Sequence, residues 1–509
     1  MVNTLVIALD KLRTEEPNED LKFRPSAKWP INTDKVRQAL KNAGFTGKVV
    51  ARCDVPNEYS AAIYRWAENL QGLPALVVYP ETEEQISITV KFAVENKFTI
   101  SIRCGGHNGA PMVSETILVD MRHSNAVKVD KETRQLTFGG GCNWGEVYEV
   151  ANPAGLEAVG GGYWGVGVGG WSTGGGYSWL SGKYGMGCDN ILAVRMCLAD
   201  GSIVTASETE NPDLFWSIRG GHGQLGIITE FTTQAYLNGG PALVGMLGYR
   251  PDQLSQVLDM LNDRFFPVRT AQESLVLGFV RPPPHYQPVV AIMPWIQGDD
   301  AYIAKIKSIF TDTVKPMVDR TYIAHDQVQV AHGADGMFAV PGAKRKVDGL
   351  TTIGDLWPEM ALEAWQKWEE YTSNVPDCRG SVVLFECHSR DKMASKPSDA
   401  TAWGARDPHY YAVCTGTSMT TATDQYAEAF ALETAELIGA HHLAKAGKPA
   451  RQWGLGRMNP DTQEFTYSYA TNRDRLKQLK EEYDPLGVFQ SPLGQQTHTT
   501  LLAKSGKRD

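Results

Sequence analysis

Glycine is concentrated in one segment of this 509-residue chain. Eighteen of its 50 glycines lie between Gly139 and Gly187, where an even distribution would place about five. Glycine adopts backbone conformations that are closed to other residues, and it lets the main chain approach another group closely. The cluster therefore predicts backbone that is pressed against a ligand or forced into unusual turns.

The overall composition excludes several classes of protein. With 42% hydrophobic and 21% charged residues the chain is typical of globular proteins, and its length predicts two or more domains. A net charge of −9 without a long basic run argues against a nucleic-acid partner. No apolar stretch is long enough to span a bilayer, and the N-terminus lacks the basic region of a signal peptide. We therefore expect a cytoplasmic protein without a membrane partner, whose scattered cysteines are reduced.

Strand and helix signals alternate between residues 73 and 236. Thr82 begins a capping box, and Ile86, Val90 and Ala93 share one face of the helix that follows. The pair Asp200 and Gly201 predicts a hairpin turn. Strands are predicted at residues 75–79, 99–103, 116–120, 126–129, 136–138, 191–199, 202–206 and 225–231, and a short helix at 214–218.

The pattern changes at residues 238–241, with the sequence NGGP, which predicts a domain boundary. From there to about residue 449, strands alternate with long amphipathic helices, which is typical of a sheet covered by helices on one face. The predicted strands are 242–249, 274–281, 288–295, 381–388 and 410–417, and the predicted helices are 251–265, 301–313, 358–372 and 424–440. A charged helix follows at 472–483.

One predicted strand, 99–103, runs directly into the sequence RCGGHNG at residues 103–109. Paired glycines after a strand leave backbone N–H groups free to bind an anion, and Arg103 adds a positive charge beside them. His107 follows the turn at once and would lie at the bound group. These features favour a pyrophosphate site, but the residues alone also fit a tight turn with an incidental histidine.

A second candidate binding segment, VGVGGWSTGGGY, covers residues 166–177. Its glycines would allow close main-chain approach to a large flat ligand, and its interleaved tryptophan, tyrosine and valine argue against a flexible linker. The stretch 160–165 satisfies a loose GxGxxG, but it lacks the surrounding βαβ unit and the acidic residue of a nicotinamide site. A kinase-type glycine loop is also excluded, because the lysine-bearing strand and the HRD-like segment that accompany it are not found in the sequence.

Six motifs in order resemble one family: RCGGHN, TILVDMRHSNAVKVD, VGVGGWSTGGGYSWLSGKYGMGCDNI, DLFWSIRGGHGQLGIIT, NRDRLKQLKEEYDPLGVF and the three glycines at 139–141. They are similar to the FAD-linked oxidases of the vanillyl-alcohol-oxidase and p-cresol-methylhydroxylase superfamily. Within it, the chain resembles the berberine-bridge-enzyme-like branch, which includes 6-hydroxy-D-nicotine oxidase. The resemblance is strong over about residues 73–236 and 452–491 and loose between them.

The fold that the resemblance implies is α+β. It has a two-part FAD-binding domain of the p-cresol-methylhydroxylase type and a substrate domain with an antiparallel sheet covered by helices. We expect the FAD-binding domain at 1–238, with its core at about 73–236, and the substrate-binding domain at 239–449. A berberine-bridge-like segment at 450–496 would return to the FAD domain, and a polar tail would follow at 497–509.

The resemblance also implies residues that bind FAD. His107 matches the histidine that bonds covalently to the flavin 8α-methyl group, and such a substituent raises the reduction potential of the flavin. The matches to the pyrophosphate loop are Arg103, Gly105, Gly106, Asn108 and Gly109. The matches to the second flavin-facing loop are Gly169, Gly170, Gly174, Gly175 and Gly176. Further cofactor-lining positions are Tyr184, Asn190, Gly226, Ile228 and Asn472.

The chain departs from the family pattern at three places. Many relatives carry a second flavin link through a cysteine near the position of Tyr163, and Cys142 and Cys188 are out of register with it. We therefore expect FAD to be covalently bound through His107 only. The tyrosine that often follows the linking histidine by two residues is Gly109 here, and the YxNY segment near the C-terminus is not recognisable. Two common active-site hydroxyls are thus missing.

Glu386 is the best candidate for a catalytic base. In the predicted strand 381–388 it projects with His388 and Leu384, whereas Phe385 and Cys387 face the other way. The family places a catalytic glutamate on a strand at about this point, although an edge-strand glutamate that faces solvent is the alternative. His388 is a second candidate, and Tyr469 or Tyr467 could supply a missing hydroxyl.

The resemblance implies an FAD-dependent oxidase that takes hydride from a C–H bond next to oxygen or nitrogen. Its expected partners are a small metabolite, such as a natural-product intermediate, and O₂, which is reduced to hydrogen peroxide. One alternative is an oxidase of carbohydrates or oligosaccharides. Another is a non-redox isomerase or cyclase, such as a pericyclase, that uses the same fold.

Overall fold

The computed structural model describes residues 33–52, 54, 56–70, 72–107, 116–333, 335, 345–450, 452–454 and 472–489. Asn108, Gly109, Tyr467 and Tyr469 lie outside these residues. The described strands form three sheets, and each sheet has its own hydrophobic core. In this part of the chain, no helix has both the length and the hydropathy that crossing a membrane requires.

The first sheet has four strands in the order β1-β2-β4-β3. Its strands are β1 Lys48–Ala51, β2 Leu76–Tyr79, β3 Ile100–Arg103 and β4 Ile117–Asp120, with helices α1 Thr33–Asn42, α2 Pro56–Ile63 and α3 Glu83–Glu95. The predicted capping box is confirmed in part, since the Thr82 hydroxyl accepts a hydrogen bond from the Gln85 N–H and begins α3. Ile86, Val90 and Ala93 are fully buried, as the helical spacing predicts.

The second sheet has the order β5-β6-β10-β8-β9, and β7 pairs with β10. Its strands are β5 Val127–Asp130, β6 Gln135–Gly139, β7 Leu156–Ala158, β8 Ile191–Cys197, β9 Ile203–Ser207 and β10 Ile227–Leu237. Its helices are α4 Trp144–Ala151, α5 Val168–Thr173, α6 Ser181–Tyr184 and α7 Pro212–Ile218. The predicted hairpin is confirmed, because β8 and β9 pair antiparallel and Gly201 adopts a φ of 80° in the turn.

The third sheet has ten strands, and all its neighbouring strands pair antiparallel. The first five are β11 Ala242–Val244, β12 Leu247–Tyr249, β13 Glu273–Val280, β14 Val289–Gln297 and β15 Val318–Asp319. The others are β16 Tyr322–Ala324, β17 Arg345–Ile353, β18 Val382–Cys387, β19 Tyr410–Ser418 and β20 Gln452–Gly454. Its helices are α8 Leu254–Met260, α9 Asp300–Asp312, α10 Gln327–His332, α11 Pro358–Asn374 and α12 Asp424–Ala446.

The largest core lies between this sheet and its helices, and it contains residues of β13, β18, α11 and α12. Helix α12 packs unusually close to two strands. A Cβ atom on Gly349 would lie 2.2 Å from the Ala431 carbonyl oxygen, and one on Gly416 would lie 1.9 Å from that of Ala427. The two glycines therefore set the distance at which the helix covers the sheet.

Several strands of the sheet differ from the sequence analysis, including β15, β16 and β20, which it did not predict. The single strand predicted at 242–249 is wrong, because Gly245, with a φ of 104°, breaks it into β11 and β12. Strand β17 was not predicted at all, since its Lys346, Asp348 and Gly349 are untypical of a buried strand. The predicted sheet with a helical cover is confirmed.

The C-terminal part of the described chain returns to the first two sheets. Helix α13, Arg473–Tyr483, buries Leu476 in the core of the second sheet. Beyond it, the Ile100 N–H of β3 donates to the Val488 carbonyl at 2.7 Å, and Phe489 is paired with Ile100. Val488 and Phe489 thus pair alongside the strand that leads into the predicted anion-binding loop.

Candidate active site

Residues 104–107 form a loop directly after β3, and Arg103 is the last residue of that strand. The Arg103 guanidinium is 5% exposed, donates through Nη1 to the Ala62 carbonyl at 2.7 Å, and lies 3.7 Å from the Asp120 carboxylate. The Asp120 carboxylate also accepts hydrogen bonds from Nε and Nη2 of Arg122, so the two arginines share it. Among the residues that the structure describes, Arg103 therefore shares its carboxylate counter-charge with Arg122.

A second buried cation, Arg65, contacts the same loop. A Cβ atom on Gly106, which has a φ of 65°, would lie 3.2 Å from Arg103 Nε and 3.5 Å from Arg65 Cβ. Burial, helped by the nearby Arg103, lowers the pKa of Arg65 to about 10. Arg103 Nε is buried without a hydrogen-bond partner among the residues that the structure describes. Buried positive charge with an unused donor is what a bound anion would satisfy, so the residues present fit the pyrophosphate of FAD.

The loop touches the glycine-rich segment through main-chain atoms. A Cβ atom on Gly105 would lie 2.5 Å from the Gly167 nitrogen, and one on Gly167 would lie 2.3 Å from the Gly105 nitrogen. Gly105 was among the predicted site residues, and Gly167 was not. The two predicted binding segments are thus in direct contact.

Gly169 and Gly170 lie in α5, and Gly174, Gly175 and Gly176 follow it. At the last three positions a Cβ atom would come within 3 Å of the rings of His222, Trp403 and Trp171, respectively. Glycine is therefore required at these positions because rings of the protein itself occupy the space of a side chain. The sequence analysis had expected a ligand there.

His107 lies between two aromatic rings. Its imidazole stacks on Trp66 with 5.2 Å between ring centroids, and the Tyr163 ring is 5.5 Å away. The pKa of His107 is lowered to about 3, first by burial and second by the positive charge of Lys346, whereas the negative charge of Asp348 acts in the opposite direction. The imidazole is therefore neutral at physiological pH.

The other predicted cofactor residues lie in hydrogen-bonded or close-packed places. Tyr184 stacks on Tyr236, and Asn190 donates to the Met186 carbonyl at 2.8 Å and accepts from the Tyr236 hydroxyl at 2.7 Å. Asn472 donates to the carbonyls of Ser398, Thr401 and Ala402. Gly226 packs against Cys197, and Ile228 is buried in β10.

Glu386 lies on a central strand, since β18 is paired with β13 on one side and β19 on the other. Phe385 and Cys387 are fully buried in the core beneath the helices, and the Glu386 side chain is 26% exposed on the other face. The predicted alternation is confirmed, and the alternative of an edge-strand glutamate is wrong.

His388 is hydrogen-bonded to this carboxylate. Its Nε2 lies 3.3 Å from Glu386 Oε2, and because a carboxylate can only accept here, the imidazole N–H donates. The His388 side chain is 5% exposed and lies edge-on to Trp179, with 5.7 Å between centroids. Its Nδ1 is buried without a partner in the part of the chain that the structure describes.

Three residues beside this pair were missed by the sequence analysis. Tyr411 is directly opposite Glu386 in the register of β18 and β19, and the Tyr177 ring stacks on it at 4.7 Å. The Tyr177 hydroxyl is hydrogen-bonded to His409 Nε2. Since His409 Nδ1 faces the Asp407 carbonyl at 2.6 Å and must donate to it, Nε2 accepts from Tyr177. Tyr411 therefore lies beside Glu386, and Tyr177 links it to a second histidine, His409.

The comparisons with known proteins agree with the motifs. The family described as "FAD binding domain" matches residues 74–207. An uncharacterized FAD-linked oxidoreductase of Arthroderma benhamiae is 30% identical over 348 residues, which are 66% of this chain and 68% of that protein. The chain belongs to the FAD-linked oxidoreductases.

Two further proteins are similar to this FAD-linked oxidoreductase. A relative from Aspergillus terreus, also named an FAD-linked oxidoreductase, is 34% identical over 253 residues, 48% of this chain. The match spans about half, 51%, of that relative's length. The crystal structure of 6-hydroxy-D-nicotine oxidase from Arthrobacter nicotinovorans has a TM-score of 0.73 at 22% identity, covering 88% of this chain and 97% of that one. This likeness shows the shared fold.

Proposed function

We propose that this FAD-linked oxidoreductase is an oxidase that takes hydride from a C–H bond next to oxygen or nitrogen of a small metabolite and reduces O₂ to hydrogen peroxide. The observation that carries the proposal is the Glu386 carboxylate, held by His388 on the exposed face of a central strand. A carboxylate in this position can accept a proton from a bound hydroxyl or amine.

Arg103, Arg65 and the backbone of residues 104–107 would hold the pyrophosphate of FAD, and His107 would anchor the flavin. The neutral imidazole of His107 has a lone pair with which to form a bond to carbon. Burial raises the pKa of the Cys104 thiol to about 11, and burial likewise raises that of Cys142. Neither thiol is a ready nucleophile, which supports a single histidyl link.

Bound FAD would supply the two-electron acceptor that takes the hydride and passes the electrons to O₂. The residues of this chain would do the rest. Glu386 would take the proton from the substrate heteroatom, and the His388 N–H would keep one carboxylate oxygen in place while the other accepts. The half-buried ring of Trp179 and the buried ring of Trp295, stacked at 6.2 Å, would help to exclude water from this proton transfer.

The aromatic surroundings support a substrate with a flat face. Tyr177, Tyr411 and Trp179 lie next to Glu386 and His388 and would stack on a planar ring. A natural-product intermediate with such a ring fits this description. Residues 239–449 would form the substrate-binding domain, because they carry nine of the ten strands of the sheet from which Glu386 projects.

The first experiment tests cofactor attachment. The purified protein is denatured in acid, and the yellow colour is expected to stay with the precipitated polypeptide. The variant His107→Ala should release the flavin into the supernatant. A colourless wild-type pellet would contradict the histidyl link.

The second experiment tests the reaction. Peroxide release is measured over a panel of aromatic alcohols, amines and oligosaccharides, and at least one aromatic alcohol or amine should be oxidised. Glu386→Gln should lower kcat/KM for that compound by about 10²-fold or more, whereas Glu433→Gln, in an exposed ion pair with Lys367, should not. Oxidation of oligosaccharides alone would favour the carbohydrate oxidase, and no peroxide from any compound would favour the non-redox alternative.

A further inference from the structure

The predicted flavin anchor is completed by residues from a different sheet. Trp66, which stacks on His107, also contacts Lys346, whose Nζ lies 4.4 Å from the centroid of the Trp66 ring. Lys346 belongs to β17 of the ten-stranded sheet, whereas His107 follows β3 of the first sheet. The surroundings of His107 are therefore assembled from two distant parts of the chain.

Lys346 is held firmly in this position. Its backbone N–H donates to Asn69 Oδ1, and its carbonyl accepts from Asn69 Nδ2, both at 2.9 Å. Its Nζ lies 3.0 Å from Asp348 Oδ2, and Asp348 Oδ1 accepts from the Thr415 hydroxyl at 2.7 Å. The side chains of Lys346 and Asp348 are only 10% and 6% exposed. A buried ion pair is costly to desolvate and is weak evidence for stability, so this pair calls for another role.

We infer that Lys346 and Asp348 are positioning residues for covalent attachment of the flavin, and that they set the charge beside His107 so that its imidazole is ready to form the bond. This inference rests on the proposed histidyl link and adds the residues that control it. It also means that the anchor becomes competent only when the ten-stranded sheet is seated against Trp66.

The electrostatics follow from the groups that face His107. Lys346 and Asp348 approach it from β17 and Tyr163 from the glycine-rich segment, while Arg103 and Arg65 contact the adjacent Gly106. Burial raises the pKa of Tyr163, so this neighbour is neutral. The Lys346 cation disfavours a second positive charge on the imidazole, and Asp348 opposes it. Lys346 thus preserves the lone pair that His107 needs.

The bond-forming step balances with O₂ as the final oxidant. His107 forms a C–N bond to the flavin 8α carbon, while one C–H bond of that carbon and the imidazole N–H bond break. The two electrons and two protons released reduce the flavin ring and then O₂, which gives hydrogen peroxide. A protonated His107 has no lone pair with which to begin this step.

The test follows attachment directly and needs no substrate. The full-length protein is produced in riboflavin-limited cells and mixed with FAD, and the flavin that remains in the acid-precipitated polypeptide is measured over time at pH 5 to pH 8. Wild type should attach flavin at nearly the same rate throughout this range. Lys346→Met removes the cation and leaves Asp348 unpaired, which should raise the pKa of His107. With that pKa about one unit above pH 5, only about a tenth of the imidazole is neutral at pH 5, so attachment there should be about tenfold slower than at pH 8.

Three further variants separate charge from packing. Lys346→Arg should behave as wild type, and Lys346→Met combined with Asp348→Asn should recover the flat pH profile, because both charges are then absent. Lys367→Met, which loses a partly exposed ion pair with Glu433, should leave attachment unchanged. Noncovalent FAD binding, measured by ultrafiltration, should be the same in all of them.

The outcomes are distinct. If Lys346→Met attaches flavin as fast as wild type at every pH, the inference is overturned and the histidyl link stands. If it is slow at every pH and the double variant does not recover, the pair has only a packing role, which also overturns the inference. A wild-type protein that binds FAD without covalent attachment would overturn both the link and the inference.

Discussion

Arg406 and Asp189 form a buried ion pair with two hydrogen bonds, at 2.7 Å and 2.8 Å, and each side chain is 3% exposed. Asp189 lies just past the glycine-rich segment, and Arg406 lies between β18 and β19. The pair therefore fastens the glycine-rich segment to the sheet that carries Glu386.

We expect Arg406→Met to destabilise the protein by about 3–5 kcal/mol, because among the described residues it leaves the buried carboxylate with a single ion-pair partner, Lys396, at 3.4 Å. Urea denaturation followed by tryptophan fluorescence measures the change. The control is Arg250→Met, which removes an ion pair with Asp252 that is exposed on both sides and should change the stability little. Equal effects of the two variants would show that the buried pair has no special role.

The same pair predicts a loss of stability in acid. Burial opposes the ionisation of Asp189, but the hydrogen bonds and charge of Arg406, with help from Lys396, outweigh it and lower the pKa of this carboxyl. Because the folded-state pKa lies below the unfolded value of about 3.9, the stabilisation is present above that value and is lost as the pH falls through the folded-state pKa. Asp189→Asn should flatten this part of a curve of unfolding free energy against pH. An unchanged slope in the variant would exclude Asp189 as its source.

Gly349→Ala should destabilise the protein by about 1–3 kcal/mol through overpacking, since the added Cβ would lie 2.2 Å from the Ala431 carbonyl oxygen of α12. The fall in Tm measures this. Gly223→Ala is the matched control, because the nearest heavy atom to its new Cβ would be 3.9 Å away. If both variants melt at the wild-type temperature, α12 does not need the glycine to pack.

His388→Leu should lower kcat/KM about tenfold, a smaller loss than that from Glu386→Gln, because it removes only the N–H that orients the carboxylate. The assay is peroxide release with whichever compound of the panel the wild type oxidises. His388→Gln keeps an N–H donor on the side chain and should restore part of the rate. A Gln variant as slow as the Leu variant would argue against the orienting role.

The sequence predicted the parts of this site that depend on local pattern. Residues of alternating character in 381–388 placed Glu386 and His388 on one face of a strand; the structure has Glu386 in β18 and His388 directly after it, hydrogen-bonded to Glu386. The sequence also placed the RCGGH segment at the end of a strand, where the structure shows β3 leading into it. Both predictions needed only the period of a strand and the chemistry of neighbouring residues.

The parts that the sequence analysis missed depend on contacts between distant residues. Tyr177 and His409 are 232 positions apart, and the sequence around each of them does not indicate their hydrogen bond. Lys346 and Asp348 made β17 look unlike a buried strand, since their charges are compensated only after folding, by each other and by the Trp66 ring. Such compensation is a property of tertiary structure.

The pairing of Ile100 with Phe489 has a consequence for how the protein is made. Strand β3 is an edge strand of the first sheet, and its neighbour on the open side comes from the last residues that the structure describes. A ribosome releases Ile100 long before Val488, so throughout synthesis β3 has an open edge, a hazard for joining the wrong strand. A stop codon between Gly454 and Val488 would spare Glu386 and the ten-stranded sheet, yet leave the strand before His107 without its partner.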